Sequence, residues 1–180
     1  MKTLMQSLLD LLWPVHRAIT RYMARVGALC FANVQGVATS FKTELLNGIH
    51  ALGTTVARGG TGADVFKAAL FLVTGSRGAA TTAYSATDEV SGAGYTAGGA
   101  AFTWIAPSAT GTIAFSTPSA SIAWTGVTLA TAFDALLLYN STQGNKAVSV
   151  HTFGSQTLTA GNFTLTMPAN DSTNALLKLA

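Results

Sequence analysis

Residues 132–154 read AFDALLLYNSTQGNKAVSVHTFG, and this stretch decides the fold class. AFDALLLYN and KAVSVHTFG are two strand candidates, and Gly144-Asn145 between them is a tight-turn pair. Working outward, the same texture repeats. VFKAALFLVTG at 65–75 reads as a buried strand ending at Gly75. Residues 94–105 read as another, with Phe102 and Trp104 on one face by period-two alternation. Residues 112–116 set Ile113 and Phe115 at alternate positions, and Ile122 with Trp124 repeats this after a turn at Pro118. NFTLTMP at 162–168 and ALLKLA at 175–180 complete about eight strands, separated by Gly, Pro, Asn and Ser. Short strands at regular spacing predict a mainly β protein, an antiparallel β-sandwich or jelly-roll-like fold.

Upstream, VATSFKTELLNGIHAL at 37–52 predicts a short helix, with Ser40 as its cap before Phe41, Leu45 and Ile49. TTVARGGTGAD at 54–64 follows as a loop, loosened by Gly59, Gly60 and Gly62. Residues 1–36 differ in kind. Met1, Leu4, Met5, Leu8, Leu11 and Leu12 fall at helical spacing, Pro14 interrupts them, and Arg17, Arg21 and Arg25 then share one face. This is a basic amphipathic helical segment suited to lying on a membrane or a partner. It has no apolar run of the roughly 18 residues a spanning helix needs, and Asp10, Pro14 and the arginines argue against a signal peptide. The division is therefore 1–36, a basic N-terminal segment, and 37–180, a β-sandwich domain. If Val37 is the true start, read from a GTG codon, the first 36 residues are a start-site artefact.

Charge supports the same division. Lys2, Arg17, Arg21 and Arg25 against Asp10 carry the entire net charge of +3, and residues 37–180 are balanced. A nucleic-acid-binding body would need clustered Lys and Arg, which residues 37–180 lack. Charged residues are 9% of the chain and hydrophobic residues 49%. A surface built from Thr, Ser, Ala and Gly invites association, so the composition suits a subunit that buries surface against neighbours. Cys30 is the single cysteine, which excludes an internal disulfide and accords with a reducing compartment. Flanked by Leu29 and Phe31, it reads as apolar filler rather than a nucleophile.

The candidate chemistry is thin. TDEVSGAGYTAGGAAF at 87–102 contains Gly92, Gly94, Gly98 and Gly99 but no GK[ST], and it leads into a strand rather than a helix N-terminus. Turn or bulge chemistry is the better reading, as it is for Gly59, Gly60 and Gly62. Asp88 and Glu89 are adjacent, so their side chains diverge, and they are expected to cap or solvate a turn. His16, His50 and His151 have no ligand spacing, and no G-x-S-x-G occurs. The sequence therefore predicts no catalytic, cofactor-binding or metal-binding residues and no enzyme. Asn140, Asn162 and Asn170 head glycosylation sequons that matter only in a secreted eukaryotic chain. Phe102, Trp104, Phe115 and Trp124 could make a carbohydrate platform, but core packing is the simpler assignment.

FKTELLNGIHAL, DVFKAALFLV, TAYSATDEVSGAGYTAGG, LLLYNSTQGNKAVSV and FGSQTLTAGNFTLTMP, in that order across 37–180, resemble a family of small virion structural proteins of tailed bacteriophages. The loop GTTVARGGTGA at 53–63 is longer than the short connection usual there, and residues 1–36 fall outside the pattern. The resemblance implies a virion protein assembled in the bacterial cytoplasm that binds the major capsid protein and copies of itself. It implies no cofactor, no nucleic acid, and no membrane for residues 37–180. The role it favours is a capsid cement or decoration protein, for which a homotrimer at a three-fold junction is the natural form. A tail or neck subunit and a carbohydrate-binding β-sandwich adhesin are the alternatives.

Overall fold

The structure is a computed structural model, and it describes residues 33–46, 48–53 and 63–179. The basic helical segment expected in residues 1–36 lies outside these residues as far as Ala32, as do His16, Cys30 and the Gly59, Gly60 and Gly62 loop. The chain divides between Ala32 and Asn33. The second unit is mainly β, with two antiparallel sheets and one short helix.

Its elements are β1 (Gly36–Val37), α1 (Thr39–Leu46), β2 (Phe66–Leu72), β3 (Ala100–Phe102), β4 (Ser108–Thr110), β5 (Ile113–Ser116), β6 (Ile122–Asn140), β7 (Lys146–Leu165) and β8 (Leu177–Leu179). A five-stranded sheet has the order β1-β7-β6-β2-β3, and a three-stranded sheet the order β4-β5-β8. The β6–β7 hairpin is the spine. Its turn places Gly144 at φ 65° and Asn145 at φ 60°, so the pair named from sequence supplies the two left-handed residues the turn requires. Asn140 Oδ1 accepts from Thr142 N and Gln143 N and so closes the turn from within.

The central strands are buried on both faces. Phe66 and Asn140 face each other across β2 and β6. Their face is covered by Trp104, whose ring meets that of Phe66 edge-on at 6.0 Å, and by α1. On the opposite face, Arg77 lies 4.4 Å over the Phe71 ring and Tyr84 stacks on Tyr139 at 4.7 Å, so residues 73–99 form the second cover. Two-sided burial explains why LLLY in β6 shows no alternation: Leu136, Leu137, Leu138 and Tyr139 all lie inside. Ile105 N to Thr117 O at 2.9 Å and Ser119 N to Thr103 O at 2.8 Å carry the chain from the large sheet to the small one.

Several expectations change in detail. Segments 122–124 and 132–140 are one strand, as are 146–154 and 162–165, with 166–168 outside it and repeated register shifts between β6 and β7. Residues 94–105 contribute only β3, because Gly94, Gly98 and Gly99 take positive φ and turn the backbone. Helix α1 starts at Thr39, so Ser40 is inside its first turn rather than capping it, and its buried Oγ has no hydrogen-bond partner. Ile49 lies beyond the helix end. The β domain also takes in residues 33–36, which the charge pattern groups with the basic segment. Asn33 Nδ2 donates to Leu72 O and to Asp134 Oδ1, and Asn33 Oδ1 accepts from Arg77 N.

Candidate functional site

The glycine-rich stretch does hold an anion, and the anion is its own Glu89. Tyr84 Oη donates to Glu89 Oε2 at 2.6 Å; Tyr95 Oη and Gly98 N donate to Oε1 at 2.7 and 2.8 Å. Tyr139 Oη then donates to Gly98 O at 2.7 Å, and Leu70 N donates to Tyr95 Oη at 3.1 Å. The three phenols keep their protons well into alkaline solution. Burial is the main cause for each, and the Glu89 charge adds to it; Tyr139 is pushed up to about 12. Asp88, the neighbouring carboxylate, belongs to the turn at φ 59° and takes no part in the Glu89 hydrogen bonds.

Glycine is required here by close approach. A Cβ on Gly99, at φ 73°, would stand 1.8 Å from Ala68 O, and one on Gly92 would stand 1.9 Å from Thr128 O. The stretch is thereby pressed along the edge of the large sheet. Val90 N donates to Leu70 O, Leu72 N to Asp88 O and Thr128 N to Ala93 O, so residues 88–102 cover the outer edge of β2 and reach β6 beyond it. Its use is to seal a sheet edge, with the Glu89 carboxylate as the fastener.

A second polar cluster sits under α1. Asn140 Oδ1 is taken by the turn amides, so Nδ2 donates both to Asp64 Oδ2 at 2.8 Å and to His50 Nδ1 at 3.1 Å. His50 Nδ1 is therefore an acceptor, and its Nε2–H donates to Glu44 Oε2 at 2.8 Å. Lys146 Nζ donates to Glu44 Oε1 at 2.7 Å. Gln143 Nε2 and Ala51 N complete the shell of Asp64. Burial lowers the His50 pKa despite the Glu44 hydrogen bond, which keeps the ring neutral. Burial would raise Glu44, but the bonds from Lys146 and His50 outweigh it and hold it below the usual range. This network clamps α1 and residues 49–51 to the hairpin turn. With Asn140 fully buried and His50 nearly so, it offers no open position to a substrate.

His151 pairs with Ser149 at 2.9 Å, and burial lowers its pKa to about 4. Ser149 is 1% exposed, so the pair is not a reachable nucleophile and base. Among the described residues no group of three His, Cys, Asp or Glu could hold a metal ion, and no helix is long and apolar enough to cross a membrane. Trp104, Phe115 and Trp124 are buried and Phe102 packs against Trp104, so these aromatics are core rather than an exposed platform. Asn140 is enclosed, whereas Asn162 is exposed and accepts from Gly126 N.

An apolar cleft of about 390 Å³ lies between α1 and the three-stranded sheet, walled by Phe41, Leu45, Leu52, Phe115 and Leu177. It has no convergent set of polar groups to direct chemistry. The remaining large feature is the far half of the β6–β7 hairpin. Past the last β2 pair at Phe133, the two strands continue as a ribbon that pairs Leu129 with Leu158 and Trp124 with Phe163. Phe133, Phe153, Phe163 and Trp124 pack edge-on or tilted against one another along one side of it, and residues 154–157 are exposed. Residues 90–133 and 147–170 contain no Asp, Glu, Lys or Arg, so the ribbon is free of formal charge. Compared with protein families, curated proteins and solved structures, the chain matches none.

Proposed function

We propose that the chain is a non-enzymatic structural subunit of a virus particle, acting as a cement protein that clamps neighbouring major capsid subunits of a tailed-phage head. The observation that carries this reading is the charge-free β6–β7 ribbon, whose exposed face of Thr, Ser, Gly and Gln costs less to desolvate against another protein than a charged surface would. The resemblance of the ordered motifs across 37–180 to small virion proteins supports it, and so does the inward use of the polar clusters at Glu89 and His50. An expanded shell is under outward stress, and many weak contacts repeated across it sum to a strong restraint.

The test is composition and heat resistance of purified particles. Cement predicts hundreds of copies per particle by quantitative mass spectrometry, and earlier DNA release on heating when the gene is deleted. A few to dozens of copies would assign the chain to the tail or neck, and absence from particles would overturn the virion reading altogether.

A further inference from the structure

The hydrogen bonds around the His50 ring fit only a neutral imidazole with its proton on Nε2. Nε2–H donates to Glu44 Oε2 at 2.8 Å, and Nδ1 accepts from Asn140 Nδ2 at 3.1 Å. The side chain has no exposed surface, and the Phe41 ring stands 4.7 Å away. Among the described residues, the charged groups facing it are Glu44 of α1, Asp64 ahead of β2 and Lys146 at the start of β7.

A second proton on the ring must sit on Nδ1, where it meets the Asn140 amide donor against donor. Asn140 is locked the wrong way round to receive it. Its Oδ1 accepts from Thr142 N and Gln143 N at 3.1 and 3.2 Å, and its Nδ2 donates to Asp64 Oδ2 at 2.8 Å. Turning the amide would set oxygen against the Asp64 oxygen and hydrogens against the two turn amides. Asp64 is no substitute acceptor, because Oδ2 already takes Asn140 Nδ2 and Ala51 N, and Oδ1 takes Gln143 Nε2. Glu44 and Asp64 favour a cation by their charge, yet Glu44 is already bonded to the neutral ring and to Lys146, so protonation adds no bond there. Burial outweighs that attraction and lowers the ring's pKa.

What the ring holds in place is α1. Glu44 binds both His50 and Lys146, and Ile49 N donates to Glu44 O at 2.9 Å. Phe41 and Leu45 of the same helix wall the apolar cleft, opposite Phe115 and Leu177 of the small sheet. We propose that the His50 cluster is a proton-operated latch: uptake of one proton at Nδ1 breaks the Asn140–His50 bond, releases α1 from the hairpin turn and bares the apolar walls of the cleft. The β2–β6–β7 ladder stays folded, because its strands pair directly, as in Lys67↔Tyr139 and Leu137↔Val150, without passing through α1. A released ring titrates at its ordinary 6.5 and the latched ring below that, so latching is favoured above pH 6.5 and weakens as pH falls. One linked proton sets the loss at no more than about tenfold per pH unit. The latch is independent of the virion reading.

The experiment follows hydrogen exchange of the full chain between about pH 7 and about pH 5, a range in which an unperturbed histidine titrates. Exchange is expressed as protection relative to the intrinsic rate, so the pH dependence of the exchange chemistry drops out. The samples are the wild type, His50→Gln, which has no titrating group, and His151→Gln, which removes the other imidazole of this unit. The expected result is that the amides of α1, Gly48 and Ile49 lose protection in acid in the wild type and in His151→Gln, but not in His50→Gln. Amides of the β2–β6 ladder keep theirs throughout, and binding of anilinonaphthalene sulfonate rises in parallel with the α1 loss. Nitrogen NMR of the wild-type imidazoles should show His50 neutral with its proton on Nε2 at the higher pH, and charging as α1 loses protection. If His50→Gln fails to fold, that wild-type titration decides alone. Constant α1 protection across the range, loss of the β2–β6 ladder in step with α1, the same acid loss in a folded His50→Gln, or a charged His50 beside a protected α1 would each overturn the latch.

Discussion

Replacing Glu89 tests whether one carboxylate fastens the glycine-rich cover to the sheet. Glu89→Ala removes the acceptor of Tyr84 Oη, Tyr95 Oη and Gly98 N at once. Hydrogen bonds to a charged acceptor contribute roughly 1.5–3 kcal/mol each. Tyr84 is near enough to solvent for water to replace its bond, whereas Gly98 is buried and Tyr95 is half-buried. Two bonds counted in full give a loss of about 4 kcal/mol. Glu89→Gln keeps one oxygen, and its amide can donate to the Tyr84 hydroxyl, so only the charge assistance is lost, about 2 kcal/mol. Urea unfolding followed by tryptophan fluorescence reads both, since Trp104 and Trp124 are buried in this unit. Alkaline titration gives an independent readout. Burial is the larger cause of the raised Tyr84 and Tyr95 pKa values, and the Glu89 bond is a further one, so both phenols should ionise at lower pH in the Ala variant. A Glu89→Ala protein within about 1 kcal/mol of wild type, or no less stable than Glu89→Gln, would refute the fastener argument.

Further outcomes follow from the partly buried His151 imidazole and the left-handed glycines. Burial lowers the folded pKa of His151 from 6.5 to about 4, so the unfolded chain takes up the proton first; this stability is present above pH 6.5 and lost as pH falls toward 4. The loss is at most about 3.4 kcal/mol, and His151→Gln should flatten that part of the stability profile measured by urea titration at a series of pH values. His50 and Glu44 have the same sign, so the variant keeps a weaker acid sensitivity. Gly99→Ala places a Cβ against Ala68 O at positive φ and should abolish folding or cost more than about 4 kcal/mol. Gly144→Ala, with nothing within 4 Å, should cost only the left-handed strain of about 1–2 kcal/mol, read as a modest drop in Tm.

The β class and the hairpin turn were legible because they rest on local chemistry: two glycine-compatible turn positions and apolar runs bounded by breakers. Strand lengths were not, for a physical reason visible in β6. Ile122 and Trp124 are buried at even positions, but Val127, Leu129 and Phe133 are buried at odd ones, because the shift at Gly126 reverses which parity points inward. One bulged strand therefore reads as two short ones. From sequence Glu89 reads only as a turn acid, since its partners Tyr84, Tyr95 and Gly98 are united by the path of the loop rather than by any spacing rule. The His50 network was illegible for the same reason: Asn140 and Lys146 lie far along the chain from Glu44. The neutral ribbon was foreshadowed by composition, yet its extent required knowing that the β2–β6 ladder ends at Phe133.

The single turn at residues 141–145 also sets an order of assembly. It closes every β6–β7 pair, from Asn140↔Lys146 outward to Ile122↔Leu165, by successive short steps that need no distant contact. The joining of β5 to β8 through Ser116↔Leu177 must instead close a loop that contains the whole hairpin. Loop-closure cost therefore predicts that the hairpin forms early and the small sheet closes last, an order that φ-values measured in β6 and in β8 would check.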